Sequence, residues 1–142
     1  MACSSLSFGQ VCGTGFTSIN NKKVVTALAF DPRDFSFSKQ PFYELDGEEI
    51  VTKSGSAEKK FKPSAAAINP VSKDLYIISS VSKCIVVADR MGKIKNVVPL
   101  NPRMFKQPEG ITFSNNGDLI VSNESAEVGA ANILIFKVKV QR

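Results

Sequence analysis

"FKQPEGITFSNNGDLIVSNES", residues Phe105 to Ser125, and "FKPSAAAINPVSKDLYIISSVSK", residues Phe61 to Lys83, share one layout. Each opens on Phe-Lys and a proline, runs through a short apolar segment, turns on polar residues and re-enters an apolar run. Pro63 recurs as Pro108, 45 residues on, while Leu75 recurs as Leu119 and Ser79 as Asn123, 44 residues on. The one-residue slip falls in the turn. After each copy a further apolar run follows, "CIVVAD" (84–89) in the first and "ILIFKV" (133–138) in the second. A period of about 40–50 residues holding about four short strands is the signature of a β-propeller blade. Two unrelated hairpins in a sandwich are the plainer alternative.

The rest of the chain is β-patterned in the same way. Runs rich in Val, Ile, Phe and Tyr predict strands near 23–30, 42–45, 64–69, 74–80, 84–89, 94–100, 109–114, 118–123 and 132–139. Asn116-Gly117 and "DRMGKI" (89–94) are turn sequences that tolerate positive φ, so the flanking strands are expected to be antiparallel hairpin neighbours. No amphipathic helix of useful length is read, and "ELDGEEI" (44–50) is read as a solvated acidic turn around Gly47. "DPRDF" (31–35) reads as a turn with an aromatic anchor. The expected fold class is all-β, a partial β-propeller of antiparallel four-stranded blades. Its divisions are a weakly structured lead-in over 1–20, a partial blade and connection over 21–60, and blades over 61–104 and 105–142. A closed propeller needs at least four blades, and 142 residues hold two and part of a third. Exposed sheet edges would then pair with missing blades or with another copy.

Composition narrows the chemistry. The chain is 43% hydrophobic and 22% charged, which suits a globular domain with one core. Its formal charge of +5 comes from scattered lysines beside strand-like runs, a solvated face rather than a nucleic-acid footprint, so no nucleic-acid partner is expected. Cys3, Cys12 and Cys84 form no CxxC pair, and Cys84 heads an apolar run as a small buried hydrophobe. There is no histidine, which excludes Ser-His-Asp and Cys-His catalysis and His-ligated metal within this chain. No stretch approaches a membrane span, and the N-terminus lacks the pattern of a secretory signal. "GTGF" (13–16) is too little of a glycine-rich phosphate loop to count.

The strings "FKPSAAAINPVSKDLYIISSVSKCIVVADRMGKI" and "PLNPRMFKQPEGITFSNNGDLIVSNES" resemble consecutive blades of the SdiA-regulated family of six-bladed β-propellers, itself similar to NHL-repeat and gluconolactonase-like propellers. The resemblance covers residues 61 to 138 and, more loosely, 22 to 50, where "VVTALAFDPRDF" looks like the close of an earlier blade. It implies an extracytoplasmic protein with a central cavity and calcium as a candidate occupant. Carried onto this chain, Glu109 would face the channel at the mouth of an innermost strand, and Asn123 and Glu124 would close the neighbouring strand. Two departures stand out: Ser125 follows "SNE" where the family favours glycine, and Ala65 stands where a glycine is usual.

Glu109, Asn123 and Glu124 carry oxygen atoms of the kind calcium takes, six to eight at about 2.3–2.6 Å, but three from one blade are too few for a tight site. Neighbouring strand residues point to opposite faces, so only one of Asn123 and Glu124 is expected beside Glu109. The competing reading makes Glu109 a rim residue accepting backbone N–H bonds. Ser64, Ser79 and Ser80 occupy the parallel positions upstream and are candidate ligand-binding residues. The leading expectation is a non-catalytic segment binding calcium or a small ligand at the central channel. The alternatives are a metal-dependent lactone or ester hydrolase, and an interaction fragment pairing through exposed blade edges.

Overall fold

A computed structural model describes residues 13–19, 22–41, 43–57, 60–125 and 130–138, with 13–19, 22 and 23 described by their backbone alone. Three antiparallel sheets follow one another along the chain. The first pairs β1 (Gly13–Ile19) with β2 (Lys22–Leu28) and β2 with β5 (Tyr43–Asp46). Between β2 and β5 lies a small hairpin, β3 (Phe30–Asp31) and β4 (Ser36–Phe37). The second is a four-stranded meander of β6 (Ala65–Ile68), β7 (Leu75–Ser79), β8 (Cys84–Ala88) and β9 (Ile94–Pro99). The third contains β10 (Pro108–Phe113), β11 (Leu119–Asn123) and β12 (Asn132–Phe136), again in chain order. The all-β reading holds, in antiparallel sheets of two to four strands. Gly92 and Gly117 take the positive φ expected of their turns, 80° and 88°.

The second sheet is the middle layer. Strand alternation sends Leu75, Ile77, Val86 and Ala88 to one face, where they meet Val25, Ala27, Tyr43 and Leu45 of the first sheet. It sends Ile78, Ile85 and Val87 to the other, against Ile111 and Val121 of the third sheet and Phe105 of the connecting loop. Burial on both faces explains why "LYIIS" and "CIVVA" are almost continuously apolar, a pattern commoner in strands covered on both sides. Each such isoleucine or valine contributes roughly 1.5–3 kcal/mol by leaving water. The third sheet is covered on one side only: Val121 is buried and Ser122 exposed beside it.

Two expectations are corrected. The acidic stretch read as a turn is an α-helix, α1 (Gly47–Ser54). The Asp46 carboxylate caps it, Oδ1 accepting from the N–H groups of Glu48 (2.9 Å) and Glu49 (3.1 Å). Glu48 and Glu49 then suit the positive end of the helix and Lys53 the negative end. Ile50, fully buried in the first core, holds it down. The second difference is β1, which lies within the stretch read as a lead-in. Backbone pairing from Gly13↔Leu28 to Ile19↔Lys22 makes it a strand although its own sequence is weakly apolar. Residues 1–12 lie outside the described residues. At "DPRDF" the turn is present, but Phe35 is 79% exposed. Its ring meets Phe30 edge-on, centres 6.3 Å apart, and Phe30 also packs against Phe37, centres 5.1 Å apart. No helix among the described residues is long and apolar enough to cross a membrane.

Candidate functional site

β7 ends, β10 begins and β11 ends at one side of the stacked sheets. Pro108 stands opposite Asn123, and the register slips between Pro108 and Gly110, leaving Glu109 as the extra residue of a bulge. A bulge breaks the alternation and re-aims the side chain it carries. Glu109 is exposed, and its charge acts on the Lys83 ammonium from the second sheet. Lys83 sits in the left-handed region at φ 47° and donates through Nζ to the Lys106 carbonyl. Burial holds the lysine below its ordinary pKa, and Glu109 pulls it part of the way back.

Asn123 is buried, 4% exposed, on the face that packs toward the second sheet. Its Nδ2 donates to Asn132 Oδ1 at 2.8 Å and reaches the Met104 carbonyl at 3.5 Å. That carbonyl can only accept, so the end of the amide beside it is the NH2 group. The other end, Oδ1, is buried with no hydrogen-bond partner among the described residues. A buried amide oxygen left without a donor costs about 1–3 kcal/mol, so its presence asks for an explanation.

Glu124 lies beyond the end of β11 and is exposed, its N–H donating to the Gln107 carbonyl at 2.9 Å. Asn123 is thus buried and Glu124, past the strand end, exposed. Glu109 and Asn123 flank the same sheet end. Among the described residues, no three His, Cys, Asp or Glu side chains gather as a metal-binding group.

The parallel end of the second sheet is built differently. Ser79, fully buried, donates through Oγ to the Lys62 carbonyl (2.7 Å) and accepts from the Ser82 N–H (3.0 Å). Ser64 Oγ accepts from the Ser80 N–H (3.0 Å). A hydroxyl that donates and accepts closes its own accounts here, and the Asn123 amide at the equivalent position does not. The contrast between two copies of one frame makes the open valence at Asn123 specific to the third sheet.

Lys83 was not legible from the sequence as a neighbour of Glu109, nor were Asn132 and the Met104 carbonyl as partners of Asn123 or the Lys106 carbonyl as the acceptor of Lys83. They come from separate turns, and no motif links them. At the opposite end of the sheets Tyr76, Phe113, Leu119 and Phe136 line an open groove of about 400 Å³. Its carboxylate Asp74 is already paired with Lys95 at 2.8 Å, and nearby Asp118 with Lys137 at 2.9 Å.

No protein-family model matches the chain, and no curated protein is significantly similar to it.

Proposed function

We propose that the chain is a non-catalytic β-propeller segment that binds a small polar ligand at the sheet end formed by Glu109, Asn123 and Lys83. The propeller reading is supported by the 44–45-residue repeat and by three successive antiparallel sheets stacked face to face. The binding reading is carried by one observation, the buried Asn123 Oδ1 with no donor among the described residues. A hydroxyl or amine N–H of a ligand supplies the missing donor, Glu109 accepts a second, and Lys83 donates to a ligand oxygen.

A calcium ion is the second arm of the test. Glu109 and Asn123 supply two oxygens of the six to eight required, and the Lys83 ammonium competes with any cation in the field of Glu109. Thermal melts with calcium chloride, and separately with a panel of polyols and free amino acids, distinguish the two. Binding raises the melting temperature of the parent chain, and Asn123→Leu removes the increase. That variant itself folds with near-parental stability, because the bonds it loses are offset by removing an unsatisfied buried oxygen. Lys83→Met weakens a polar organic ligand and tightens calcium. A parent chain indifferent to calcium and to every polyol and amino acid refutes the reading.

A further inference from the structure

We infer that the small polar ligand of this sheet end is a free α-amino acid in its zwitterionic form, an inference that rests on the function proposed above. Three groups of different kinds converge there. Asn123 is 4% exposed and its amide is oriented, Nδ2 donating to Asn132 Oδ1 at 2.8 Å, so Oδ1 is the acceptor left without a donor among the described residues. Asn132 and Met104, the residues beside that amide, are themselves exposed, so it lies just beneath the surface.

The other two groups carry opposite charges. Glu109, re-aimed by the bulge, is exposed, and Lys83 is half-buried. Each lies in the other's field, yet among the described residues no ion pair joins them. Lys83 Nζ turns instead to the Lys106 carbonyl, a neutral acceptor. Elsewhere the second and third sheets close such pairs directly, Asp74 with Lys95 at 2.8 Å and Asp118 with Lys137 at 2.9 Å. A carboxylate and an ammonium held near each other but apart offer one negative and one positive point to a molecule that enters between them.

Charge complementarity then selects the ligand class. A neutral polyol leaves both charges unmatched, a simple anion is repelled by Glu109, and a metal or alkylammonium cation is repelled by Lys83. A zwitterion answers both. Its carboxylate accepts from the Lys83 ammonium, and its ammonium donates one N–H to the Glu109 carboxylate and another to Asn123 Oδ1. An α-amino acid carries these two groups on a single carbon, so all three protein groups are met by the part of the molecule that every amino acid with a primary amine shares.

Calorimetric titration of the whole chain with alanine, lactate, ethylammonium and glycerol tests this. Lactate keeps the carboxylate and a hydroxyl donor but lacks the ammonium, and ethylammonium lacks the carboxylate. Alanine binds tightest, and each charge removed raises the dissociation constant roughly tenfold to a hundredfold. Lys83→Met abolishes the preference for alanine over ethylammonium, Glu109→Gln abolishes the preference for alanine over lactate, and Asn123→Leu abolishes binding of alanine. Melting temperatures without ligand show that each variant is folded, and the ligand series needs the parent chain alone. Lactate or glycerol binding as tightly as alanine overturns the inference and leaves the small-ligand reading standing. A preference for alanine that survives both charge substitutions also overturns it. A chain that binds none of the four overturns it too, and the wider panel above then decides the reading on which it rests.

Discussion

Gly92→Ala tests the stacking of the first and second sheets. Gly92 holds φ +80°, and a Cβ built there meets the Glu44 backbone oxygen at 2.9 Å. Neither side yields easily. The turn is tied by Gly92 N–H to the Asp89 carbonyl (3.1 Å) and by Met91 and Lys93 N–H to Asp89 Oδ1 (2.8 and 3.0 Å). Glu44 is held in the β2–β5 ladder opposite Thr26. Left-handed backbone costs an alanine about 1–2 kcal/mol, and forcing one extra carbon into close packing adds about 1–3. The expected loss is about 3 kcal/mol, or roughly 9–15 °C in melting temperature at an intermediate 3–5 °C per kcal/mol for a chain of this length. Gly55→Ala is the internal control: φ is +63° at the end of α1, but nothing lies within 4 Å of its added Cβ. It shares the backbone strain and lacks the clash, so it loses about 1 kcal/mol. Urea unfolding of both variants beside the parent gives the difference directly. If the two losses agree within about 0.5 kcal/mol, the turn does not abut β5 and this packing argument fails.

Removing the helix cap by Asp46→Ala lowers stability by about 1 kcal/mol, read by urea unfolding, because two amide donors lose their acceptor. Burial raises the Cys84 thiol to about 11. In a Cys3→Ser, Cys12→Ser background it therefore reacts with a thiol reagent only on unfolding, and rapid labelling of the native chain refutes its burial. The same shift fixes a sign in alkali: the unfolded thiol ionises near its ordinary value of 9.0 while the folded one stays neutral, so stability falls from about pH 9 upward, an effect Cys84→Ala removes. Asp74 is held below its ordinary 3.8, chiefly by the hydrogen bond from Lys95. Its contribution is fully present above that value and is lost as pH falls through the folded pKa, so Asp74→Asn flattens the acid limb of a stability–pH profile.

Much of the fold was legible because period-2 patterning and turn chemistry are local. The strands of the second and third sheets stand within one residue of expectation at most ends, and Gly92 and Gly117 turn where their neighbours require. α1 escaped because its eight residues offer only Ile50 and Val51 as an apolar face, too little for a helical period. Its readable signal was local, Asp46 followed three residues on by Glu49. β1 escaped for the opposite reason, since its pairing with β2 makes it a strand.

The sequence by itself determined the antiparallel order of the repeat and its period, because turn chemistry and repeat spacing are written along the chain. Only the tertiary structure decided what its residues meet. It made the second sheet a middle layer and left Ile133 and Ile135 uncovered. It brought Lys83 to Glu109, and it satisfied Ser79 while leaving Asn123 Oδ1 without a donor among the described residues. The physical reason is that hydrogen-bond satisfaction and burial depend on groups distant in the chain, and no pattern within a strand records which of them arrive.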